Sequence, residues 1–352
     1  MNAHRILAIR LDNLGDIIMT GPALRAIKEN LPGAEITLLG GSAGPAASTL
    51  LPWIDDCMVH RGIWQDIGSG YRFEPEQDFR LIERLRERRF DAAFIFTSFK
   101  QTPHVPAYLC YLAGIQRRVG ESLEFGGLAL TDTVTGTPEW EHQVERNLRL
   151  VRIVGMRVDD SRLAVDIPAE EVLVAERRLA ELGVERPYIV IHPGATAAAR
   201  RYPPERFGAV AAVLSARGWP VLLTGSERER DLVEAVAAAA PGARSVAGRT
   251  SLGAFAALMA AASLVICNNT LAMHLADALD VPLVALFAGT DRESQWAPRS
   301  TDHVLLRHDT PCTPCYRFEC PIGQPCLGIA PDQVVAAADR LLSRTGKSEV
   351  VA

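Results

Sequence analysis

Short apolar runs alternate with longer stretches whose apolar positions recur at helical spacing. Arg5 to Leu11, Glu35 to Leu39 and Ala92 to Phe96 read as buried strands. Gly15 to Asn30, interrupted at Gly21-Pro22, and the arginine-rich Leu81 to Arg89 read as the helices between them. The second half repeats the pattern more clearly. Its strands are Tyr188 to His192, Pro220 to Thr224, Leu264 to Cys267 and Pro282 to Phe287. Its helices are Pro204 to Arg217, Glu227 to Ala240, Leu252 to Ala262 and Thr270 to Leu279. In the first of these, Phe207, Val210, Val213 and Leu214 share one face.

Strands separated by helices imply βαβ units and a parallel sheet. Val151 to Pro187, with a helix ending near Gly183, reads as a connector, which predicts two α/β domains, 1–165 and 166–352. The final helix, 331–343, closes the fold and is a candidate to pack back on the first domain. Open α/β sheets bind ligands beyond the carboxyl ends of their strands, so a cleft between two such domains is the expected active site.

Composition narrows the function. The 352 residues are 48% apolar and 22% charged, enough to bury a large core. A formal net charge of −5 argues against general nucleic-acid binding, which needs a concentrated basic surface. No apolar run reaches the roughly 18 residues of a membrane span, and no secretory leader is visible. The expected location is the cytoplasm, with any membrane contact peripheral. Cys57, Cys110 and Cys267 stand alone in apolar surroundings and read as buried, inert thiols.

Three segments carry candidate chemistry. Asp12-Asn-Leu-Gly-Asp16 follows the first strand where a helix begins. Asp16 is either a helix cap or a general base at the strand end. His192-Pro-Gly-Ala-Thr196, followed by Arg200-Arg201-Tyr202-Pro203, is a glycine loop with adjacent arginines. It suits a phosphate, and a solvated basic loop explains it equally. Asn268-Asn-Thr270 opens the helix carrying His274, and the free N–H groups of a helix start favour an anion. Neither a P-loop nor the dinucleotide fingerprint is present.

Taken together, these segments resemble glycosyltransferase family 9, the lipopolysaccharide heptosyltransferase-like enzymes. The resemblance rests on Ile9-Arg-Leu-Asp-Asn-Leu-Gly-Asp16 with the Pro22-Ala-Leu24 helix, on His192-Pro-Gly-Ala195, and on Asn269-Thr270 with His274. It implies a GT-B fold, two Rossmann-like doubly wound domains, the first for the acceptor and the second for the donor. It also implies inverting transfer without a catalytic metal. On that resemblance Asp16 is the catalytic base. Thr196 and Arg200 approach the diphosphate of a nucleotide-sugar donor. Gly225 and Glu229 lie near the ribose, and Gly248 and Thr250 border the base. Asn269, Thr270 and His274 form the last donor motif. The donor expected is ADP-linked heptose or a related sugar, and the acceptor a saccharide or lipid-linked core. Thr97, Ser98 and Lys100 are candidate acceptor contacts. The chain departs from the family in Asn269-Thr270-Leu271, where Asp-Thr-Gly is frequent, and in Arg200, where lysine is usual.

Cys312, Cys315, Cys320 and Cys326 crowd into one proline-rich segment. In a reducing compartment they read either as a structural zinc or iron site or as free thiols. Two other functional readings stay open: a nucleotide-sugar epimerase on the same fold, and a non-catalytic binding or assembly protein.

Overall fold

The computed structural model describes residues 3–65 and 73–344. The ends of the expected domain spans, 1–2 and 345–352, lie outside the described residues. The chain divides into two compact units, Met1–Asp166 and Ile167–Ala352.

The first unit holds β1 (Arg5–Arg10), β2 (Glu35–Gly40), β3 (Asp56–Val59), β4 (Ala92–Ile95), β5 (Arg117–Glu121) and β6 (Asp132–Val134). They form one sheet in the order β3-β2-β1-β4-β5-β6, with every pair parallel. The second unit holds β7 (Ile189–His192), β8 (Val221–Leu223), β9 (Arg244–Ser245), β10 (Leu264–Asn268), β11 (Leu283–Leu286) and β12 (His303–Leu306). Its order is β12-β11-β10-β7-β8-β9, again all parallel. Counted within each unit, both sheets run 3-2-1-4-5-6, the doubly wound Rossmann order.

The central strands are buried along almost their whole length, as helices on both faces require. The edge strands β3, β9 and β12 are short and partly exposed. The core of the second unit runs from Ile189 and Ile266 on the sheet to Phe207, Val210 and Leu214 on helix Pro204–Ala216. The last helix, Pro331–Arg344, adds Val334, Ala338 and Leu341 to that core and packs against helix Pro204–Ala216, β10, β11 and β12. Among the described residues no helix is long and apolar enough to cross a membrane.

Strand order reverses direction beside the first strand of each unit, which opens a crevice at the carboxyl ends of β1 and β4 and another at those of β7 and β10. Register sets what reaches each crevice. Ile9 pairs with Ile95, so Arg10 and the loop after it lie beside Phe96, Thr97 and Ser98. Cys267 pairs with His192, so Asn268 ends level with the His192-Pro-Gly loop.

Candidate active site

In the first unit a fully buried arginine organises the crevice. Arg10 Nη2 donates to Asp16 Oδ1 at 3.0 Å and to Ser98 Oγ at 2.7 Å, and its Nε lies 3.0 Å from Asp12 Oδ2. Asp16 Oδ2 accepts from the backbone N–H of Asn13 at 3.2 Å. Asn13, not Asp16, is the N-cap of helix Leu14–Ile18, and Asp16 sits at its third position, reaching back. The cap reading of Asp16 is thus corrected to the third position of a capping box, and its second oxygen is left for other partners. One oxygen serves the helix start, the other faces Arg10 and Ser98, and 15% of the side chain stays exposed.

Gln101 locks the second carboxylate, donating from Nε2 to Asp12 Oδ1 at 2.6 Å while its Oε1 accepts from Ser98 N at 2.7 Å. Burial pushes the Asp12 carboxyl above its usual range, and Arg10 pulls the other way. Of the three residues expected to meet an acceptor, Ser98 joins this network. The Thr97 carbonyl accepts from Gln143 at 3.0 Å, and Lys100 is exposed at φ 72° with its Nζ 5.6 Å from the Phe99 ring. Arg10 and Gln101 had no role in the sequence reading. The available signal was an arginine ending an otherwise apolar strand just before two aspartates.

The second crevice is tied together by Asn268. Its Nδ2 donates to the carbonyls of Pro193 at 2.8 Å and Gly194 at 3.3 Å, and its Oδ1 accepts from Tyr202 N at 3.0 Å. This buried amide joins the end of β10 to the glycine loop and to the turn carrying Arg200. Gly194 is required by its neighbour, since a Cβ there would lie 2.2 Å from Glu229 Oε1. Glu229 Oε2 in turn accepts from Ser226 N at 2.9 Å and Ser226 Oγ at 2.7 Å. Burial disfavours the Glu229 charge, yet these bonds and Arg201 help hold its carboxyl below the usual range. His192 is buried, which pushes its imidazole below the ordinary value, and Nδ1 pairs with Thr224 Oγ1 at 3.1 Å.

Gly225 accepts through its carbonyl from Gly248 N at 2.9 Å, and Gly248 holds φ 69°, where a side chain would also strike Glu227. Thr250 is half-buried just before Ser251, the cap of helix Leu252–Ala260.

Arg200 and Asn269 converge on a residue the sequence reading omitted. Arg200 Nη2 lies 2.9 Å from Asp291 Oδ2, and Arg200 Nε donates to Thr290 Oγ1 at 3.2 Å. Thr290 Oγ1 donates to the same Asp291 oxygen at 2.6 Å, as does Asn269 Nδ2 at 3.4 Å. Asn269 Oδ1 accepts from Ala288 N at 3.1 Å. Thr270 takes the N-cap position of helix Leu271–Ala278, with no side-chain cap bond. His274 is buried one turn further on, its ring 6.3 Å from that of Trp296. Thr196 is exposed on the loop leading to Arg200.

The cysteine segment braces this crevice. Phe318 O accepts from Ala199 N at 2.9 Å, and Gln324 Nε2 donates to Ala198 O at 2.5 Å. Cys315 N and Tyr316 N donate to the carbonyls of Gly289 at 3.0 Å and Thr290 at 2.8 Å. The thiols differ in exposure: Cys312 is exposed, Cys315 and Cys320 are intermediate and Cys326 is buried, with Cys320 and Cys312 near enough to act on the Cys326 thiol. Among the described residues no group of three or more His, Cys, Asp or Glu side chains is placed to hold a metal ion, the four cysteines Cys312, Cys315, Cys320 and Cys326 included. Of the isolated thiols, Cys110 and Cys267 are buried, and burial pushes Cys110 up to about 12. Cys57 is only half-buried, because β3 is an edge strand.

Two Rossmann-ordered units, each with polar residues gathered at its strand-order reversal, define a glycosyltransferase-type GT-B protein. The family model for glycosyltransferase family 9 (heptosyltransferase) matches residues 79–325. The chain belongs to glycosyltransferase family 9 and is a glycosyltransferase. It is 29% identical to lipopolysaccharide heptosyltransferase 2 of Salmonella typhimurium over 97% of this chain and 99% of that one. Lipopolysaccharide heptosyltransferase 1 of Pseudomonas aeruginosa is 28% identical over 90% and 87%. The structure of the E. coli ADP-heptose lipopolysaccharide heptosyltransferase II superposes with a TM-score of 0.77 at 24% identity, covering 97% and 99% of the two chains. The opening segment with Asp16 lies before the stretch matched by the family model, although the Salmonella relative aligns over nearly the full length.

Proposed function

We propose that the protein is an inverting heptosyltransferase that takes its sugar from an ADP-linked donor and passes it to a saccharide or lipopolysaccharide-core-type acceptor. The carrying observation is the second crevice, where Arg200 and Asn269, the residue before the N-cap of helix Leu271–Ala278, converge on the Asp291 carboxylate and so show that they can meet an anion. Relatives named for lipopolysaccharide heptose transfer, at 29% and 28% identity, support the sugar and the acceptor class.

In this reading the second unit holds the donor. Arg200 and the helix start meet the diphosphate, with Thr196 beside them. Gly194, Gly225 and Glu229 form the ribose side, Gly248 and Thr250 border the base, and His274 supports the helix that carries Asn269 and Thr270. The first unit holds the acceptor. The acceptor hydroxyl attacks the anomeric carbon from the face opposite the diphosphate. The new C–O bond forms as the bond to the phosphate oxygen breaks, and the hydroxyl proton passes to Asp16. A hydroxyl is a poor nucleophile at neutral pH, so the carboxylate must sit within hydrogen-bond reach of that proton. Charge accumulating on the leaving diphosphate is met by Arg200 and the free N–H groups at the helix start. A nucleotide-activated donor places the reaction in the cytoplasm, and a lipid-linked acceptor places it at the inner membrane face.

The test is donor turnover. Incubation with ADP-heptose and a heptose-acceptor core oligosaccharide should release ADP and yield a product with inverted anomeric configuration. Conversion of the donor alone, without acceptor, would instead indicate epimerase chemistry. Absence of any turnover together with absence of ADP binding would remove the proposal.

A further inference from the structure

We propose that Asp291 is a built-in counter-charge that sets how tightly the donor pocket grips a diphosphate, a proposal resting on the donor assignment made above for Arg200. The side chain of Asp291 is 10% exposed, and its Oδ2 collects Arg200 Nη2, Thr290 Oγ1 and Asn269 Nδ2. Two of those donors are groups assigned to the donor. The carboxylate therefore takes one edge of the guanidinium that would otherwise be open to a phosphate oxygen.

The arrangement is built into the backbone. The Arg200 turn is fixed by Ala199 N donating to Phe318 O, and the Asp291 loop by Cys315 N and Tyr316 N donating to Gly289 O and Thr290 O. A single segment thus holds both partners in register. Gly289 permits a close approach, since a Cβ there would lie 2.3 Å from Thr313 Oγ1.

A carboxylate in this place has two opposed effects. It orients Arg200, occupying the Nε–Nη2 edge together with Thr290 and leaving the Nη1 side of the guanidinium to a ligand. It also repels a diphosphate one guanidinium away. In a partly buried pocket, repulsion across that short distance outweighs the ordering of one side chain. The residue therefore weakens the hold on nucleotide diphosphate and lets the product leave.

The experiment is ADP titration of the full-length protein by calorimetry, comparing wild type with Asp291→Asn and Asp291→Glu. Asp291→Asn should bind ADP about tenfold more tightly, as expected for removal of a nearby like charge. Asp291→Glu keeps the charge and should bind as wild type does. Structural damage would weaken binding, so tightening cannot come from misfolding. If the wild type binds ADP and Asp291→Asn binds equally or more weakly, the counter-charge idea is overturned while the donor assignment stands. If the wild type fails to bind ADP, both fall. Arg200→Ala, which should lose ADP affinity, keeps the two readings separable should Asp291→Asn fold poorly.

Discussion

Arg10 Nη2 donates to Asp16 Oδ1 at 3.0 Å from a side chain with no exposed surface. A buried guanidinium is tolerable only with partners, and Asp12, Asp16 and Ser98 supply them. The pair links folding to chemistry, because the same contact that neutralises Arg10 aims the candidate base.

The two residues should therefore fail differently. Arg10→Met leaves Asp12 and Asp16 facing a desolvated site without a counter-ion. It should cost about 3–5 kcal/mol of stability as well as activity. Asp16→Asn keeps the shape and the backbone contact, so its melting temperature should stay near that of the wild type. Its transfer rate should fall by about 10²–10⁴-fold, the usual worth of a general base. Denaturation curves and ADP-release rates on both variants check this, and a fast Asp16→Asn enzyme would remove the base assignment.

What the chain revealed in advance follows from burial. β1, β2, β4, β7, β8, β10 and β11 are central or nearly so, buried on both faces, and carry continuous apolar runs. The expected spans fall within two residues of those observed. The edge strands β3, β6, β9 and β12 and the arginine-led β5 carry no such run, and pairing rather than hydrophobicity defines them. Helix Gln143–Ile153, part of which was read as connector, has buried polar positions at Gln143, Arg146 and Asn147, which blur its apolar stripe. The candidate site was legible where glycine and a charged residue fell together after a strand. Asp291 was not, because its partner Arg200 is remote in sequence and only the fold joins them.

Asn268 offers a second prediction. Its amide satisfies Pro193 O and Tyr202 N, two backbone groups in buried surroundings. Asn268→Ala strands both, at roughly 1–3 kcal/mol each. Urea denaturation should show the midpoint falling with little change in slope. Because the same bonds position the glycine loop against the Arg200 turn, ADP affinity should fall in parallel. Unchanged affinity in a destabilised variant would confine Asn268 to a folding role.

His192 makes stability depend on pH. Burial lowers its folded-state pKa below the ordinary value, with Glu229 opposing part of the shift. The stability gained by keeping it neutral is complete above about pH 6.5, its unfolded value, and declines as pH falls from there toward the folded value. Each pH unit in that window costs at most about 1.4 kcal/mol. His192→Gln, which cannot titrate, should lose less melting temperature than the wild type between about pH 7.5 and about pH 5.5. Equal losses would mean that His192 is not the group responsible.

Gly194 and Glu229 allow the ribose side to be probed without touching charge. An alanine Cβ at 194 would lie 2.2 Å from Glu229 Oε1 and 2.4 Å from its Cδ, so the carboxylate must swing away and release Ser226. The obstructed group is the end of a flexible side chain, so the fold should lose less than about 1 kcal/mol. Under the donor reading the displaced carboxylate also loses the ribose. A lost hydrogen bond to a charged group is worth about 1.5–3 kcal/mol, or roughly 10–100-fold in donor KM. The rate at saturating donor should change little, because the reacting atoms are untouched. Steric displacement also dictates how two changes combine. In a Glu229→Ala background the collision is gone, so adding Gly194→Ala should cost nothing further. If the two losses simply add, Gly194 acts through the loop backbone, and Glu229 is not the side chain through which it is felt.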